Sequence, residues 1–168
     1  LTGVTTGVTV VGVAAGVNTI IGGSGADTIT GGSAASDFTG AAGIDVITGG
    51  AGADIYRYTT SAEFVTGTAV VDSITGNGGA DKAVITGAIS ITGSQALARA
   101  EGVVEIEAAG EANGGTKADH SIVIDNETER NDVVSIDLAA SLDTDSTGTV
   151  TLTGVTTGVT VVGVAAGV

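Results

Sequence analysis

The sequence predicts an all-β fold, a parallel β-roll or β-solenoid that continues into a strand-rich second half. Three observations predict it: the composition, a nine-residue pattern in the first half, and β-branched runs in the second. The chain of 168 residues has 29 Gly and no Pro, Cys, Met or Trp. A core must therefore come mainly from Val, Ile, Leu and Ala. Such Thr-rich, Gly-punctuated sequence favours many short strands joined by tight turns.

The nine-residue pattern keeps one phase from residue 4 to residue 84, with no insertion that breaks it. Most units have Gly at the fourth position, an acid at the sixth and an apolar residue at the eighth. The clearest units are GGSGADTIT (22–30), GAAGIDVIT (40–48), GGAGADIYR (49–57) and GNGGADKAV (76–84). Weaker units in the same phase are GGSAASDFT (31–39), YTTSAEFVT (58–66) and GTAVVDSIT (67–75).

The pattern is similar to the signature G-G-x-G-x-D-x-U-x of calcium-binding β-helix repeats, and this resemblance implies one half-coil for each unit of nine. The first six residues of a unit must turn tightly, which Gly permits, and its last three form a strand whose middle residue points inward. Two units complete a coil, so turns on the same edge are eighteen residues apart in sequence. One edge then carries Asp27, Asp45, Glu63 and Asp81, and the opposite edge carries Asn18, Ser36, Asp54 and Asp72.

Stacked acids at this spacing predict a calcium site. Calcium takes six to eight hard oxygen ligands, and stacked turns offer carboxylates together with main-chain carbonyls. The best-formed pairs should be Asp27 with Asp45 and Asp54 with Asp72, while Glu63 could bridge toward Asp45 or Asp81. The predicted metal ligands are Asp27, Asp45, Asp54, Asp72, Asp81 and Glu63. The alternative is that these acids are solvated turn residues.

The charge of the chain excludes several classes of partner. Nineteen Asp and Glu against five Lys and Arg give a formal net charge of −14. Nucleic acid binding needs a basic patch, and an anionic membrane surface would repel this chain. No apolar run is long enough to span a membrane, so no membrane insertion is expected. Divalent cations would offset the mutual repulsion of the acids.

Residues 18–84 resemble the RTX nonapeptide arrays of secreted bacterial proteins. The resemblance implies a parallel β-roll with calcium-binding turns, type I secretion and folding outside the cell, where calcium is abundant. A Cys-free chain rich in Val, Thr and Ala, with long stretches outside the array, is most similar within the family to surface-layer and giant adhesin repeat modules. The resemblance therefore implies a secreted, extracellular or cell-surface location.

A second repeat works on a larger scale. Residues 1–17, LTGVTTGVTVVGVAAGV, recur letter for letter as residues 152–168. The simplest interpretation is a tandem array in which one unit of 151 residues is followed by the start of the next. We therefore expect three parts: a roll over 1–84, a strand-rich solenoid or small β-sandwich over 85–151, and the next unit from 152. A sequence that begins within its own pattern also suggests a fragment of a longer protein.

The second half gives weaker signals. Residues 95–111 are ambiguous between a short helix over 95–101 and a strand over 103–107, while residues 121–125 and 133–138 favour strands. An acidic cluster is expected to be an exposed turn rather than a further calcium site; it comprises Asp125, Glu127, Glu129 and Asp132. The one histidine, His120, is expected at the surface.

No catalytic motif is present, so we expect no enzyme. Neither a G-x-S-x-G elbow nor an H-E-x-x-H sequence occurs. The expected function is a calcium-stabilised extracellular module that self-associates end to end in a surface layer or filament. Alternatives are a spacer of a giant adhesin or the C-terminal domain of a secreted enzyme. Thr at the ninth position could form a ladder that binds ice or carbohydrate, although Thr also simply suits exposed strands. A cell-surface or carbohydrate contact is a further candidate beside self-association.

Overall fold

The computed structural model describes residues 4–59, 61–63, 72–93, 100–108, 120–124, 133–138, 148–155 and 158–163. Regular structure in these residues is almost entirely short β-strand, with one 3-10 turn at Ser61–Glu63. Every strand pairing among them is parallel. The predicted all-β parallel roll is thus confirmed. None of the helical structure in these ranges is long and apolar enough to cross a membrane.

Two parallel sheets form the faces of the roll. Sheet A consists, in spatial order, of β1 (Thr9–Val11), β3 (Thr28–Thr30), β5 (Val46–Thr48), β7 (Ser73–Thr75) and β10 (Ala100–Glu101). Sheet B consists of β2 (Asn18–Ile21), β4 (Ser36–Thr39), β6 (Ile55–Tyr58), β8 (Asp81–Ile85), β11 (Val103–Ala108), β13 (Ser135–Asp137) and β15 (Thr160–Val162). Successive strands of the first half alternate between the two sheets, as half-coils of a roll require.

A third sheet belongs to the second half of the chain. Sheet C consists of β9 (Ser90–Ile91), β12 (His120–Ile124) and β14 (Gly148–Leu152). Sheet B meanwhile continues without a break from β8 through β11 and β13 to β15. The parallel ladders favour the solenoid interpretation of the second half over a β-sandwich. The ambiguous segment includes β10 and β11, and residues 95–99 lie outside the described ranges.

Inward side chains from the eighth position of each nonapeptide build the core. From the second nonapeptide onward, register places these residues one above another, for example Ile29 beside Ile47. In the first nonapeptide the predicted phase is wrong by one residue: Val10, at the seventh position, lies beside Ile29, and Val11 at the eighth is 72% exposed. The rings of Phe38 and Tyr56 stack with centroids 5.4 Å apart. The described eighth-position residues from the second nonapeptide onward are all buried: Ile20, Ile29, Phe38, Ile47, Tyr56, Ile74 and Ala83. Val65 lies outside the described ranges.

One nonapeptide does not form a half-coil, contrary to the sequence prediction. Strands β3 and β5 pair with a spacing of eighteen residues, Ile29 with Ile47. Strands β5 and β7 pair with a spacing of twenty-seven, Ile47 with Ile74. We call the nine extra residues, which fall between Tyr58 and Asp72, the excursion; the described part of this stretch includes the 3-10 turn at Ser61–Glu63. Because the excess equals one nine-residue period, the later residues keep the same phase in the sequence. The periodicity therefore does not reveal the extra nonapeptide.

The excursion also supports the first strand of sheet C. The Ser90 main-chain N–H donates to Ser61 Oγ at 2.9 Å. Ser61 is itself buried. From β8 onward the chain visits sheet B, then sheet C at β9, then sheet A at β10, before it returns to sheet B at β11. The third face therefore begins on the extra nonapeptide.

His120 is buried, and its expected surface position is wrong. Only 2% of the residue is exposed. It begins β12, and its Nδ1 accepts a hydrogen bond from the Ile89 main-chain N–H at 3.1 Å. This contact joins β12 to the loop before β9, so the imidazole satisfies a buried main-chain donor. The acidic cluster around Glu127 lies outside the described ranges.

The inward positions predict an asymmetric response to mutation within one strand. Ile47 of β5 is 1% exposed, whereas its neighbour Val46 is 46% exposed. Ile47→Ala should lower the free energy of unfolding by about 2–5 kcal/mol because it leaves a cavity between coils. Val46→Ala should cost less than about 1 kcal/mol. Urea denaturation in calcium would measure both, and equal losses would contradict the assigned faces.

Candidate calcium-binding turns

The sixth-position aspartates lie inside the roll rather than on its surface. Each of the five is 3% exposed or less: Asp27, Asp45, Asp54, Asp72 and Asp81. They sit at the ends of the turns, immediately before or at the start of a strand, and point toward the neighbouring coil. The alternative that these acids are solvated turn residues is therefore wrong. Burying five carboxyl groups requires partners for their oxygens.

Three aspartates form the first acidic ladder: Asp27, Asp45 and Asp72. The main-chain N–H of Asp27 donates to Asp45 Oδ1 at 2.7 Å, and that of Asp45 donates to Asp72 Oδ1 at 2.8 Å. Asp27 Oδ1 in turn accepts the N–H of Val8 at 2.9 Å. Each carboxylate thus reaches back to the preceding coil. The ladder ties the coils together along one edge.

The second acidic ladder, Asp54 and Asp81, runs along the opposite edge. The Asp54 N–H donates to Asp81 Oδ1 at 2.8 Å, and the Ser36 N–H donates to Asp54 Oδ1 at 2.7 Å. Ser36 occupies the sixth position without an acid, and its hydroxyl donates to the Ala34 carbonyl instead. Asn18 lies at the start of the same edge and accepts the Val13 N–H at 2.9 Å. This edge therefore begins with neutral residues and becomes acidic.

The structure corrects one predicted pair and confirms the position of another. Asp27 and Asp45 are stacked, as their spacing predicts. Asp54 stacks with Asp81, and Asp72 stacks with Asp45, so the predicted Asp54–Asp72 pair is wrong. The extra nonapeptide is the reason, because it moves Asp72 and Asp81 to the edges opposite to those predicted. Which of these aspartates bind calcium stays a prediction.

Glu63 belongs to neither ladder. Its carboxylate accepts hydrogen bonds from the Thr59 N–H, at 3.2 Å, and from the Thr59 hydroxyl, which closes the 3-10 turn. Its carbonyl accepts the Asp72 N–H at 3.1 Å. The structure therefore does not place the Glu63 carboxylate between Asp45 and Asp81, although the residue supports the main chain of Asp72.

The first glycine of each clear nonapeptide makes room for the carboxylate of the same nonapeptide. A Cβ on Gly40 would clash with Asp45 Oδ2 and would lie 3.2 Å from Asp72 Oδ2, so two carboxylate oxygens face this point. The same clash with the aspartate five residues later would occur at Gly22, Gly49 and Gly76. The sequence pattern carried this signal, since Gly precedes Asp by five in every clear unit, but turn formation alone also accounts for a glycine there.

Tyr56 is a polar residue that the apolar pattern concealed. Its hydroxyl is buried and has no hydrogen-bond partner among the described residues. It lies near the point where a Cβ on Gly49 would be, together with Asp54 Oδ2 and the Gly76 carbonyl oxygen. Burial raises the pKa of Tyr56, and the charges of Asp81 and Asp54 raise it further. In the sequence, the only sign of this buried hydroxyl is that a tyrosine occupies the inward eighth position.

Burial disfavours the ionised form of the ladder carboxylates. Loss of solvent raises the pKa of Asp72 to about 7, and the nearby charges of Asp45 and Glu63 add to the shift. Burial likewise raises the pKa of Asp81 to about 6. The pKa values of Asp45 and Asp54 are raised for the same reason. Without a cation, the folded protein would hold Asp72 and Asp81 partly protonated near neutral pH.

The ladders fit a hard divalent cation. Asp45 Oδ2 and Asp81 Oδ2 are buried and accept no hydrogen bond from the described residues. Within the described ranges, the Lys and Arg side chains are those of Arg57 and Lys82, and they pair with Asp37 and Glu107, which lie outside the ladders. Within the same ranges, no group of three or more acids or histidines converges on one point. Calcium would therefore use one or two carboxylates, completed by main-chain carbonyls and water.

The glycine positions predict where a single methyl group is harmful. Gly40→Ala should lower the free energy of unfolding by about 1–3 kcal/mol, because its Cβ would displace the Asp45 carboxylate. It should also weaken calcium binding. Gly158→Ala is the matched control, since its Cβ would meet no atom within 4 Å. Denaturation and calcium titration of both variants would check this; equal stability and equal calcium affinity would contradict the role of Gly40 in making room for the Asp45 carboxylate.

The raised pKa values predict how stability depends on pH when calcium is chelated. The pKa of Asp72 is about 7 in the folded protein, against 3.8 for an ordinary Asp. The folded state therefore binds the proton more tightly, and its stability should fall as the pH rises from about 4 to about 7. Saturating calcium should remove this fall because it binds the ionised carboxylates.

Asp72→Asn provides the control for this pH dependence. The substitution removes the titrating group, so the fall in stability should become smaller in EGTA. Thermal unfolding between about pH 4.5 and 7.5, with EGTA or calcium, would measure it. A midpoint in EGTA that rises with pH in the unsubstituted protein would contradict the burial of the ladders.

Comparison with known proteins agrees with this geometry. The family described as RTX calcium-binding nonapeptide repeat (4 copies) matches residues 14–35, 37–58 and 59–83. No curated protein and no solved structure matches the chain significantly. The matched stretches contain both acidic ladders, and repeats of this family bind Ca²⁺. Over these three stretches the chain is therefore built of RTX calcium-binding nonapeptide repeats.

Proposed function

We propose that the chain is a non-enzymatic structural module of an extracellular surface layer or filament. Calcium bound in the turns would hold the coils together, and end-to-end association of units would lengthen the assembly. The observation that carries the proposal is the tandem identity of residues 1–17 and 152–168. Repeating a whole unit lengthens a solenoid without adding new chemistry.

The open edges of the sheets support lengthening. Among the described strands, β1 and β2 are edge strands at one end of sheets A and B, and β14 and β15 are edge strands of sheets C and B at the other. Edge strands present unpaired main-chain donors and acceptors that can pair with another copy. The neighbouring apolar residues are also exposed: Val11 is 72% exposed and Val162 is 40% exposed.

The charge balance supports an extracellular, calcium-rich setting. The chain carries a net charge of −14 and buries five aspartates in two ladders. An isolated buried carboxylate is costly, so a cation shared between coils would stabilise folding directly. Where calcium is scarce, this stabilisation would be small. Secretion by a type I system, typical of RTX repeat proteins, agrees with folding after export.

The setting of the one histidine supports a structural role. His120 is buried, and its Nδ1 accepts a main-chain hydrogen bond, so it is engaged in holding the fold. A general base must reach a proton on a substrate. The adhesin-spacer alternative differs from the main proposal in assembly alone, since a spacer would remain a soluble monomeric rod.

Calcium removal should test the proposal. At about 1 mM calcium, a site with a dissociation constant of about 10⁻⁴ M adds about 1.4 kcal/mol to stability. Several sites should therefore raise the thermal midpoint by many degrees, and EGTA should abolish the gain. Circular dichroism and sedimentation, with calcium or EGTA, would measure folding and assembly together.

Ordered fibres or sheets that form with calcium and dissolve in EGTA would support the proposal. Calcium-dependent folding without assembly would favour the spacer. Folding and melting that do not change on chelation would reject the calcium module altogether. Magnesium at the same concentration is the control for ionic strength, because Mg²⁺ demands smaller and more regular octahedral sites.

A further inference from the structure

We infer that residues 152–168 form a shared coil through which one unit continues into the next as a single solenoid. Sheet B of one unit would become sheet A of the following unit. The partner is a second copy of this same unit, and the contact is strand addition at the edge of β15. The inference deepens the proposed end-to-end association and rests on it.

The same sequence forms strands at both ends of the described structure. Thr9–Val11 is β1 and Thr160–Val162 is β15, and both read Thr-Val-Val within the identical 17-residue segments. The two strands nevertheless lie in different sheets. β1 is the edge strand of sheet A, whereas β15 is the edge strand of sheet B. Among the described strands, each has a neighbour on one side only: β3 for β1 and β13 for β15.

The middle valine of the strand faces the core in both places. Val10 is in register with Ile29 of β3, and Val161 is in register with Ile136 of β13. Ile29 and Ile136 are fully buried, but Val161 remains 44% exposed. If β15 also served as β1 of the next unit, Val161 would lie between Ile136 and the copy of Ile29. In the joined solenoid, Ile136 of one unit and Ile29 of the next would thus cover the two sides of the same valine.

The hydrogen bonds give an independent test, because the two ladders use opposite edges of the strand. Toward β3, the Val8 carbonyl accepts the Thr28 N–H at 2.8 Å and the Gly12 N–H donates to the Thr30 carbonyl at 2.7 Å. Toward β13, the Thr160 N–H donates to the Val134 carbonyl at 2.9 Å. The Val162 carbonyl accepts the Leu138 N–H at 2.8 Å.

Transferred to the second copy of the segment, these donors and acceptors do not compete. Val8 and Gly12 correspond to Val159 and Gly163. The groups that bind β13 belong to Thr160 and Val162, which alternate with them along the strand. Alternate residues of a strand direct their main-chain groups to opposite sides. One segment can therefore bond β13 and the next unit's β3 at the same time.

The acidic ladder would extend across the same junction. Asp27 Oδ1 accepts the Val8 N–H at 2.9 Å, which makes Val8 the first rung of that ladder. The corresponding donor at the other end is the Val159 N–H. The next unit's copy of Asp27 would anchor there, so its calcium-binding turns would stack directly on this unit. Sheet C, whose edge strand is β14, would then continue as the next unit's sheet B.

Amide hydrogen exchange in a two-unit chain tests the junction. The chain would contain residues 1–168 followed by a second copy of residues 18–168, in saturating calcium. The amides of Val159 and Gly163 at the junction should exchange at least about tenfold more slowly than in the 168-residue chain. Thr160 is the internal control, because its N–H already donates to the Val134 carbonyl in one unit.

Paired substitutions give a second measurement. Val161 and Val162 are similarly exposed in one unit, 44% and 40%. In a continuous solenoid Val161 becomes buried and Val162 stays outward. Val161→Thr at the junction should therefore lower the thermal midpoint of the two-unit chain by about 2–4 °C or more, and Val162→Thr should have a smaller effect. The two substitutions should differ little in the single unit.

The outcomes separate this inference from the proposed function. Slow exchange at Val159 and Gly163, with the stronger effect of Val161→Thr, supports the shared coil. Fast exchange at both amides in a folded, calcium-loaded two-unit chain overturns it and leaves the calcium module intact. A two-unit chain whose folding does not respond to calcium would instead reject the proposed function.

Discussion

The fold depends on placing carboxylates inside a roll that has no basic residues to neutralise them in its described part. Asp27, Asp45 and Asp72 accept main-chain hydrogen bonds from one coil to the next, so each acid positions its neighbour. The same burial makes the ionised groups costly. Attraction between coils and repulsion between charges thus occur at the same atoms. A divalent cation would remove this cost and keep the attraction, so calcium binding would stabilise the folded roll.

Much of the first half could be predicted because its period, its glycines and its apolar positions agree with one another. The inward eighth position, the parallel half-coils and the stacking of Asp27 on Asp45 all follow from that phase. The stacking of Asp72 on Asp45 and of Asp81 on Asp54 does not follow from that phase. An excursion of nine residues leaves a nine-residue phase unchanged, so periodicity alone cannot reveal which coil an acid faces. Only the register of β5 with β7 distinguishes the two arrangements.

The site was less predictable at the level of single atoms. Spacing indicated that the acids share an edge, but it could not show that they are buried, since burial depends on how closely the coils approach. Gly40 was attributed to turn formation, although its missing Cβ also leaves space for the Asp45 carboxylate. His120 was expected at the surface because one isolated imidazole has no periodic context. Its burial follows from its contact with the Ile89 N–H, which joins segments distant in sequence.

The extra nonapeptide has a geometric consequence for the cross-section of the roll. A roll with two faces is flat and can bend only across its broad sides, whereas a third face gives the cross-section thickness. The change occurs where Ser61 receives the Ser90 N–H, within a single coil. If units follow one another as a tandem array, flat and three-sided stretches would alternate along the axis. In such a rod, stiff segments and more flexible segments would alternate at regular intervals.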